Sequence, residues 1–322
     1  MLLQLLDQHH GECIVPSSGG KDSHYQVLQL QALGAHVTVV TASTCMLTDL
    51  GRANITNLAR YATTIEVSPN KRIRAQLNRI GLETVGDCSW PEHVAIFTTP
   101  FRMAVDLGIP LIFYGENPQN QYGGPPGSQE AREMTQRWRS EFGGFLGLRP
   151  SDLVGMHGIT PRDILDYTAP RALILAQRGV EAHFLGQYLP WDSHENARQA
   201  IAAGMQAELP TRANWWEWEN LDNAQTGLHD HMMYMKYGYG RMAAQLSVDI
   251  RSGRVKREWA LEAARGRDGL FPEVYAGVPI EAVLEHIGMT RRALNQTMDQ
   301  FTNWDIFRRV VDDENATPIL IA

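Results

Sequence analysis

The stretch Cys13–Leu30, CIVPSSGGKDSHYQVLQL, decides the fold. Its apolar opening predicts a buried strand over Glu12–Pro16, and the residues from Lys21 to Leu33 carry a helical pattern. Between the two lies Ser18-Gly19-Gly20-Lys21-Asp22-Ser23. Two glycines without Cβ atoms let the backbone turn sharply and approach a ligand. The helix that follows presents unpaired N–H groups and its positive dipole end to the turn, so the turn is an anion site. Ser18 and Ser23 add hydroxyl donors and Lys21 a charge, while Asp22 either caps the helix or reaches a magnesium ion that bridges phosphates. An ordinary capped strand-to-helix turn is the competing reading. The pattern is neither G-x-x-x-x-G-K-[ST] nor G-x-G-x-x-G, which disfavours both of those nucleotide-binding families.

Working outward, the rest of the N-terminal half repeats the strand-helix alternation. Strands are expected at Glu12–Pro16, His36–Ala42, Thr64–Ser68, Pro110–Tyr114 and Ala182–Gly186. Helices are expected at Lys21–Leu33, Leu50–Ala62, Lys71–Ile80 and Glu92–Leu107. Runs such as VTVVTA and IPLIFYG joined by helical crossovers predict an α/β fold with a doubly wound, mainly parallel sheet, and ligands at the carboxyl ends of its strands. From about Tyr122 the texture changes: YGGPPG reads as a loop, Gln129–Phe142 as a helix and Gly143–Pro150 as punctuation. After Trp191 helices predominate, at Ser193–Gly204 with Ser193 as N-cap, and at His229–Lys236, Arg241–Ser252, Lys256–Ala264, Pro279–Ile287 and Thr290–Phe301. The expected division is an α/β domain over 1–190 and a mainly helical C-terminal module over 191–322.

The chain has 322 residues, 43% of them hydrophobic and 20% charged, with a net charge of −7. This composition is that of a globular protein, and no window approaches the ~18 apolar residues of a membrane span. The opening MLLQLLDQHHGE lacks the basic flank and cleavage site of an export signal. Three scattered cysteines, Cys13, Cys45 and Cys88, are too few for a disulfide framework, so a reducing cytoplasm is expected. The acidic balance argues against nucleic acid as the main partner.

The motif S-G-G-K-D-S after an apolar strand resembles the signature loop of the PP-loop ATP pyrophosphatases. Further segments, LNRIGLETVGDCSW, FTTPFRMAVDLGIPLIFYGENPQNQYGGP, FLGQYLPWD and GLHDHMMYMKYGYGRMAAQLSVDIRSGRVKREWAL, are similar to the N-acetyl sugar amidotransferases of surface-polysaccharide biosynthesis. The similarity runs from about Cys13 to Phe301. It implies an adenine nucleotide alpha hydrolase-like fold, with Ser18, Gly19, Gly20, Lys21, Asp22 and Ser23 holding the pyrophosphate portion of ATP and magnesium as cofactor. The implied reaction converts the N-acetyl group of a sugar, often nucleotide-linked, into an acetamidino group, with ATP consumed to AMP and pyrophosphate. An amide oxygen leaves only after adenylation, so the enzyme's tasks are positioning and charge neutralisation.

Gly115-Glu116-Asn117 follows a predicted strand end and is expected to face the same cleft, with Glu116 and Asn117 orienting the acetamido group or a metal. Tyr122-Gly123-Gly124 is a candidate flap. Trp191 and Asp192 are candidates for stacking on a base or sugar and bonding its hydroxyls. Lys236, Tyr239 and Arg241 are candidates for phosphate or a uronate carboxylate, with a solvated surface as the alternative. Met232, Met233 and Met235 read as core. His229 and His231 stand two apart, on different helix faces, which argues against a helical metal pair. Relatives carry a C-x-x-C pair ahead of the loop and a Cys/His cluster in the region reading GDCSWPEHVAIF. This chain retains only Cys88 and His93 of these, so a zinc site, which takes about four ligands, is not expected.

None of the three cysteines has the setting of a glutaminase nucleophile. Ammonia is therefore expected from outside, free or from a separate glutaminase subunit, with the N-acetylated sugar as substrate and self-association left open. A PP-loop enzyme modifying tRNA or a nucleobase, and a nucleotide-binding protein without turnover, are the alternative readings.

Overall fold

A computed structural model describes residues 1–309 and 318–321; the side chains of residues 121 and 122 lie outside the description. Five parallel strands form the central sheet: β1 (Glu12–Pro16), β2 (His36–Ala42), β3 (Thr63–Val67), β4 (Leu111–Tyr114) and β5 (Glu181–Phe184). Their spatial order is β3-β2-β1-β4-β5. Helices before and between them are α1 (Leu2–Gln8), α2 (Lys21–Ala32), α3 (Asp49–Leu58), α4 (Lys71–Val85), α5 (Trp90–Leu107), α6 (Gln119–Tyr122), α7 (Gln136–Phe142) and α8 (Ala172–Gln177). The remainder contributes α9 (Ser193–Ala202), α10 (Thr226–Tyr237), α11 (Arg241–Arg251), α12 (Arg257–Ala264), α13 (Ile280–Ile287) and α14 (Arg291–Phe301). The architecture is the doubly wound α/β fold expected from the strand-helix alternation.

The apolar runs become central strands because helices cover both faces of the sheet. Cys13, Ile14 and Val15 of β1 and Leu111, Ile112 and Phe113 of β4 are fully buried. β1 pairs with β2 on one side, Cys13 opposite Val37 and Val15 opposite Val39, and with β4 on the other, Ile14 opposite Ile112. The chain reverses its winding between β1 and β4, so the loops that leave their carboxyl ends diverge around a crevice.

Several boundaries differ from the expected ones. Residues 2–8 form a helix that the sequence left unassigned; Leu2 and Leu6 anchor it in the core that contains Val15 and Val27. α7 begins at Gln136, not Gln129, because Ser128–Glu130 forms a short 3-10 turn, Glu133 bridges to His183 beside β5, and Thr135 caps the helix by accepting from the Trp138 amide. α8 likewise has no counterpart among the expected helices; Leu175 anchors it in the core beside β4 and β5. At α9 the cap is Asp192 rather than Ser193, since its carboxylate accepts from the His194 and Glu195 amides.

The helices after residue 190 share cores with those before it. α9 lies along α2, and Leu82 and Cys88 pack in one cluster with Leu228, Met232, Val283 and Leu294. Met232 and Met235 are buried, as expected of core methionines, whereas Met233 is only half-buried. Among the described residues, no helix is long and apolar enough to cross a membrane.

Candidate active site

The anion turn sits at the crevice. Gly19 adopts φ +84°, and a Cβ there would stand 2.8 Å from the Ile55 backbone nitrogen in α3, so turn and helix are in backbone contact. Ser17 stiffens the turn: its Oγ accepts from the Gly19 amide at 2.9 Å and donates to Ser23 Oγ at 2.8 Å, while Ser23 donates to Gly20 O at 2.9 Å. Gly20 is the N-cap of α2, and among the described residues no side chain caps that helix. Its first amides therefore face the crevice unclaimed, which is what an anion site requires.

Lys21 is 4% exposed and clamped between carboxylates, its Nζ 2.7 Å from Asp22 Oδ2 and 3.1 Å from Glu219 Oε1. Burial pushes its ammonium down, but the charges of Asp22 and Glu219 outweigh this and hold it above the ordinary lysine value. Burial likewise pushes Glu219 up, and the Lys21 and Arg241 charges bring it below the usual range. Asp22 does not cap the helix; its other oxygen accepts from Asn196 Nδ2 at 2.9 Å.

The loop after β4 brings Gly115 and Glu116 to the same crevice. A Cβ on Gly115 would meet the Trp191 ring at 2.8 Å and Gln26 Nε2 at 3.0 Å, so only glycine allows this approach. The Glu116 carboxyl is pushed up to about 7, by burial first and then by Asp22, with Lys21 partly offsetting the rise.

Together these residues line a cleft of about 330 Å³ whose opposite wall is Trp218–Asp222. Trp218 is stacked on Trp216 at 6.0 Å and meets His194 edge-on at 5.0 Å. Asp249 anchors this wall: its oxygens accept from the Trp215 and Trp216 indoles at 3.1 and 3.0 Å, from His194 Nε2 at 2.8 Å and from Arg254 Nε at 2.8 Å. Gln245 ties the wall to the lysine clamp, donating to Glu219 Oε2 at 2.8 Å and accepting from the Trp215 amide at 2.7 Å. Among the described residues, Gln26 Oε1, Trp218 Nε1 and Asn220 Nδ2 have no hydrogen-bond partner, and all three residues line the cleft. These three atoms are themselves buried, so it is other parts of the same side chains that border the cleft.

Of the residues singled out in the sequence, Ser18, Gly19, Gly20, Lys21, Asp22, Ser23, Gly115 and Glu116 come together at the cleft. Asn117 does not line it; 1% exposed, it donates to Ser128 O and accepts from the Gln119 amide, holding the turn into α6. Tyr122 ends α6, and its side chain lies outside the described residues. Trp191 packs behind Gly115 and against Tyr25 at 5.5 Å. Asp192 is occupied as a helix cap and by Arg254 at 2.6 Å.

The cationic candidates lie elsewhere. Lys236 Nζ donates to Val85 O at 3.1 Å, Tyr239 is an exposed neighbour of Tyr237, and Arg241 holds Asp230 in a two-pronged pair. The sequence reading missed Ser17, Gln26 and the whole wall Trp218–Asp222. Its one visible signal is WWEWENLD, which gathers three of the chain's eight tryptophans among acidic residues.

Residues 211–315, which include this wall, match a family model described as LPS biosynthesis protein WbpG-like, C-terminal domain. The match supports a role in surface-polysaccharide biosynthesis. No curated protein matches the chain.

Proposed function

We propose that the chain is an ATP-dependent amidotransferase of the PP-loop type, converting the N-acetyl group of a sugar, in nucleotide-linked form, into an acetamidino group. The observation that carries this reading is the uncapped start of α2, with Lys21 beside it, at the switch point of the sheet. Amides, glycines and an ammonium converge there as a polyphosphate requires. The lipopolysaccharide-family match over 211–315 supports a sugar as the second substrate.

The chemistry follows from the positions. The turn amides and Lys21 bind the β and γ phosphates, and Lys21 exchanges a carboxylate partner for phosphate oxygen. The acyl oxygen of the acceptor attacks the α-phosphorus; that P–O bond forms as the bond to pyrophosphate breaks, leaving AMP on an imidate. Ammonia then adds to the imidate carbon, the C–O bond to AMP breaks, and a proton is lost. Glu116, with its carboxyl near neutrality, is placed to take that proton. Asp22 and Glu219 offer the hard oxygen ligands that suit magnesium, which when bound would neutralise phosphate charge. Trp218, Asn220 and Gln26 line the cleft with an aromatic face and two side-chain amides, residue types that suit the ring and hydroxyl groups of a sugar.

The test is to incubate the protein with ATP, magnesium, ammonium and a panel of N-acetylated nucleotide sugars, then analyse products by mass spectrometry. The expected result is AMP, pyrophosphate and a sugar in which NH has replaced one oxygen. AMP formed in the absence of any acceptor, or ATP left intact with every acceptor, sinks the proposal.

A further inference from the structure

A second polar cluster lies outside the cleft, where α4, α5 and α10 meet. Asp87 follows the left-handed C-cap of α4, Gly86, and its amide donates to Gly81 O at 3.2 Å. His93 is in the first turn of α5 and His229 in the first turn of α10. Asp87 Oδ2 lies 3.0 Å from His93 Nδ1, and Asp87 Oδ1 lies 2.8 Å from His229 Nδ1. We propose that Asp87, His93 and His229 form a binding site for one divalent transition-metal ion of the zinc class, with solvent completing its coordination.

Three observations carry this. First, one donor atom from each residue falls within 4.8 Å of the other two. Ligand atoms about 2.0–2.2 Å from a shared ion stand about 3–4.4 Å apart, so only a small inward adjustment of these side chains would seat one ion.

Second, the aspartate needs a positive charge. Its side chain is 3% exposed, and a buried carboxylate is stable only when paired. Neither fixed charge nearby bonds it directly: Lys236 is close enough to feel the Asp87 charge but donates to Val85 O, and Arg241 holds Asp230 in its two-pronged pair. The Ser89 amide donates to Oδ1 at 2.8 Å but brings no full charge. An ion between the imidazoles and the carboxylate supplies one.

Third, the site is closed on one side and open on the other. Asp87 is sealed in, and Phe301 packs so closely on Gly86 that a Cβ there would meet its ring at 2.8 Å. The side chains of His93 and His229 are 28% and 20% exposed, with their rings edge-on at 5.1 Å, so water reaches the remaining positions.

The donor set selects the metal. Two imidazoles and one carboxylate suit zinc, cobalt, iron or manganese, whereas magnesium and calcium take oxygen ligands. Cys88 is not a fourth ligand. Its thiol faces Gln225 O at 3.7 Å, and burial raises it well above the usual thiol value. An ion here would tie α5 to α10, so its expected role is to join the sheet to the C-terminal helices.

The test uses the full chain stripped of metal with a chelator and titrated with cobalt(II). The expected result is one cobalt per chain, with visible absorption that zinc abolishes, and a rise in thermal midpoint with either ion. His93→Asn and His229→Asn keep a hydrogen-bond donor near the Nδ1 position toward Asp87 while removing the imidazole ligand, so they preserve the metal-free cluster; each should weaken cobalt binding at least ~10-fold. His157→Ala, at an exposed histidine elsewhere, should leave the titration unchanged. Absence of cobalt and zinc uptake at micromolar concentration would show that Asp87 merely anchors two imidazoles by hydrogen bonds, and would overturn the proposal. So would uptake that survives both ligand substitutions.

Discussion

The two walls of the cleft are built on different principles. On the sheet side the functional groups are mostly backbone: the turn 17–23, two glycines and the free end of α2, all placed by the pairing of β1 with β2 and β4. The facing wall, 215–222, has no strand or helix of its own and is held by side chains, with Asp249 and Gln245 as its anchors. A backbone cradle is specified by a few consecutive residues. A side-chain wall depends on partners scattered through the sequence. The first should tolerate changes in its surroundings and fail when its own motif is altered; the second should fail when a distant anchor is removed.

The largest expected effect is on the sheet side. Lys21→Ala should lower AMP formation by roughly 10²–10³-fold or more, the scale seen when a charge-stabilising donor is lost. Circular dichroism should show a folded chain, with a lowered unfolding midpoint because Asp22 and Glu219 lose the ammonium between them. Normal AMP formation would break the comparison at its root. For the other wall, Asp249→Ala removes an acceptor that serves two indoles, an imidazole and a guanidinium. It should destabilise the protein by about 3 kcal/mol in urea denaturation, the size expected when a buried charge network loses its centre. If stability is unchanged, the wall is not held as described.

This contrast also explains what could be read from the sequence. β1 and β2 fall where the apolar runs place them, and the start of α2 follows from Gly19-Gly20-Lys21, because strand burial and turn geometry are local properties. The α9 cap is one residue out because Asp192 and Ser193 are both good caps, and Arg254, 62 positions away, fixes where the aspartate sits. Glu219 was invisible, since its partner Lys21 is 198 positions distant. Sequence spacing sets His229 against His231, on another face of the same helix, whereas the group it meets is Asp87, 142 positions earlier. Lys236 and Arg241 are basic residues in a motif-rich segment, yet each is occupied by a neighbour that only the fold reveals.

Where the walls touch, the contact can be tested. A Cβ on Gly51 of α3 would stand 2.5 Å from the Asp222 Cα, on the facing wall. Alanine gains about 1 kcal/mol of helix propensity over glycine, but overpacking against backbone costs about 1–3 kcal/mol. Gly51→Ala should therefore be net destabilising, by about 1 kcal/mol in urea denaturation. A stabilised variant would mean that the facing wall yields freely and is not a fixed part of the cleft.

The last effect concerns Glu116, and its sign is informative. Its carboxyl is raised from 4.5 to about 7 in the fold, so between those values the folded chain binds a proton that the unfolded chain has released. Stability from this group is complete below pH 4.5, falls as pH rises through about 7 and is constant above that. Glu116→Gln has no proton to lose. Without ligand it should be more stable than the parent at pH 8, by on the order of 1–3 kcal/mol, and its unfolding midpoint should vary less between pH 4.5 and 7. The cause is burial between the two walls first, and then the carboxylates they bring, Asp22 from one and Glu219 from the other. Equal pH dependence in parent and variant would mean that Glu116 is hydrated and ordinary, and the two walls would then not enclose a common low-dielectric space.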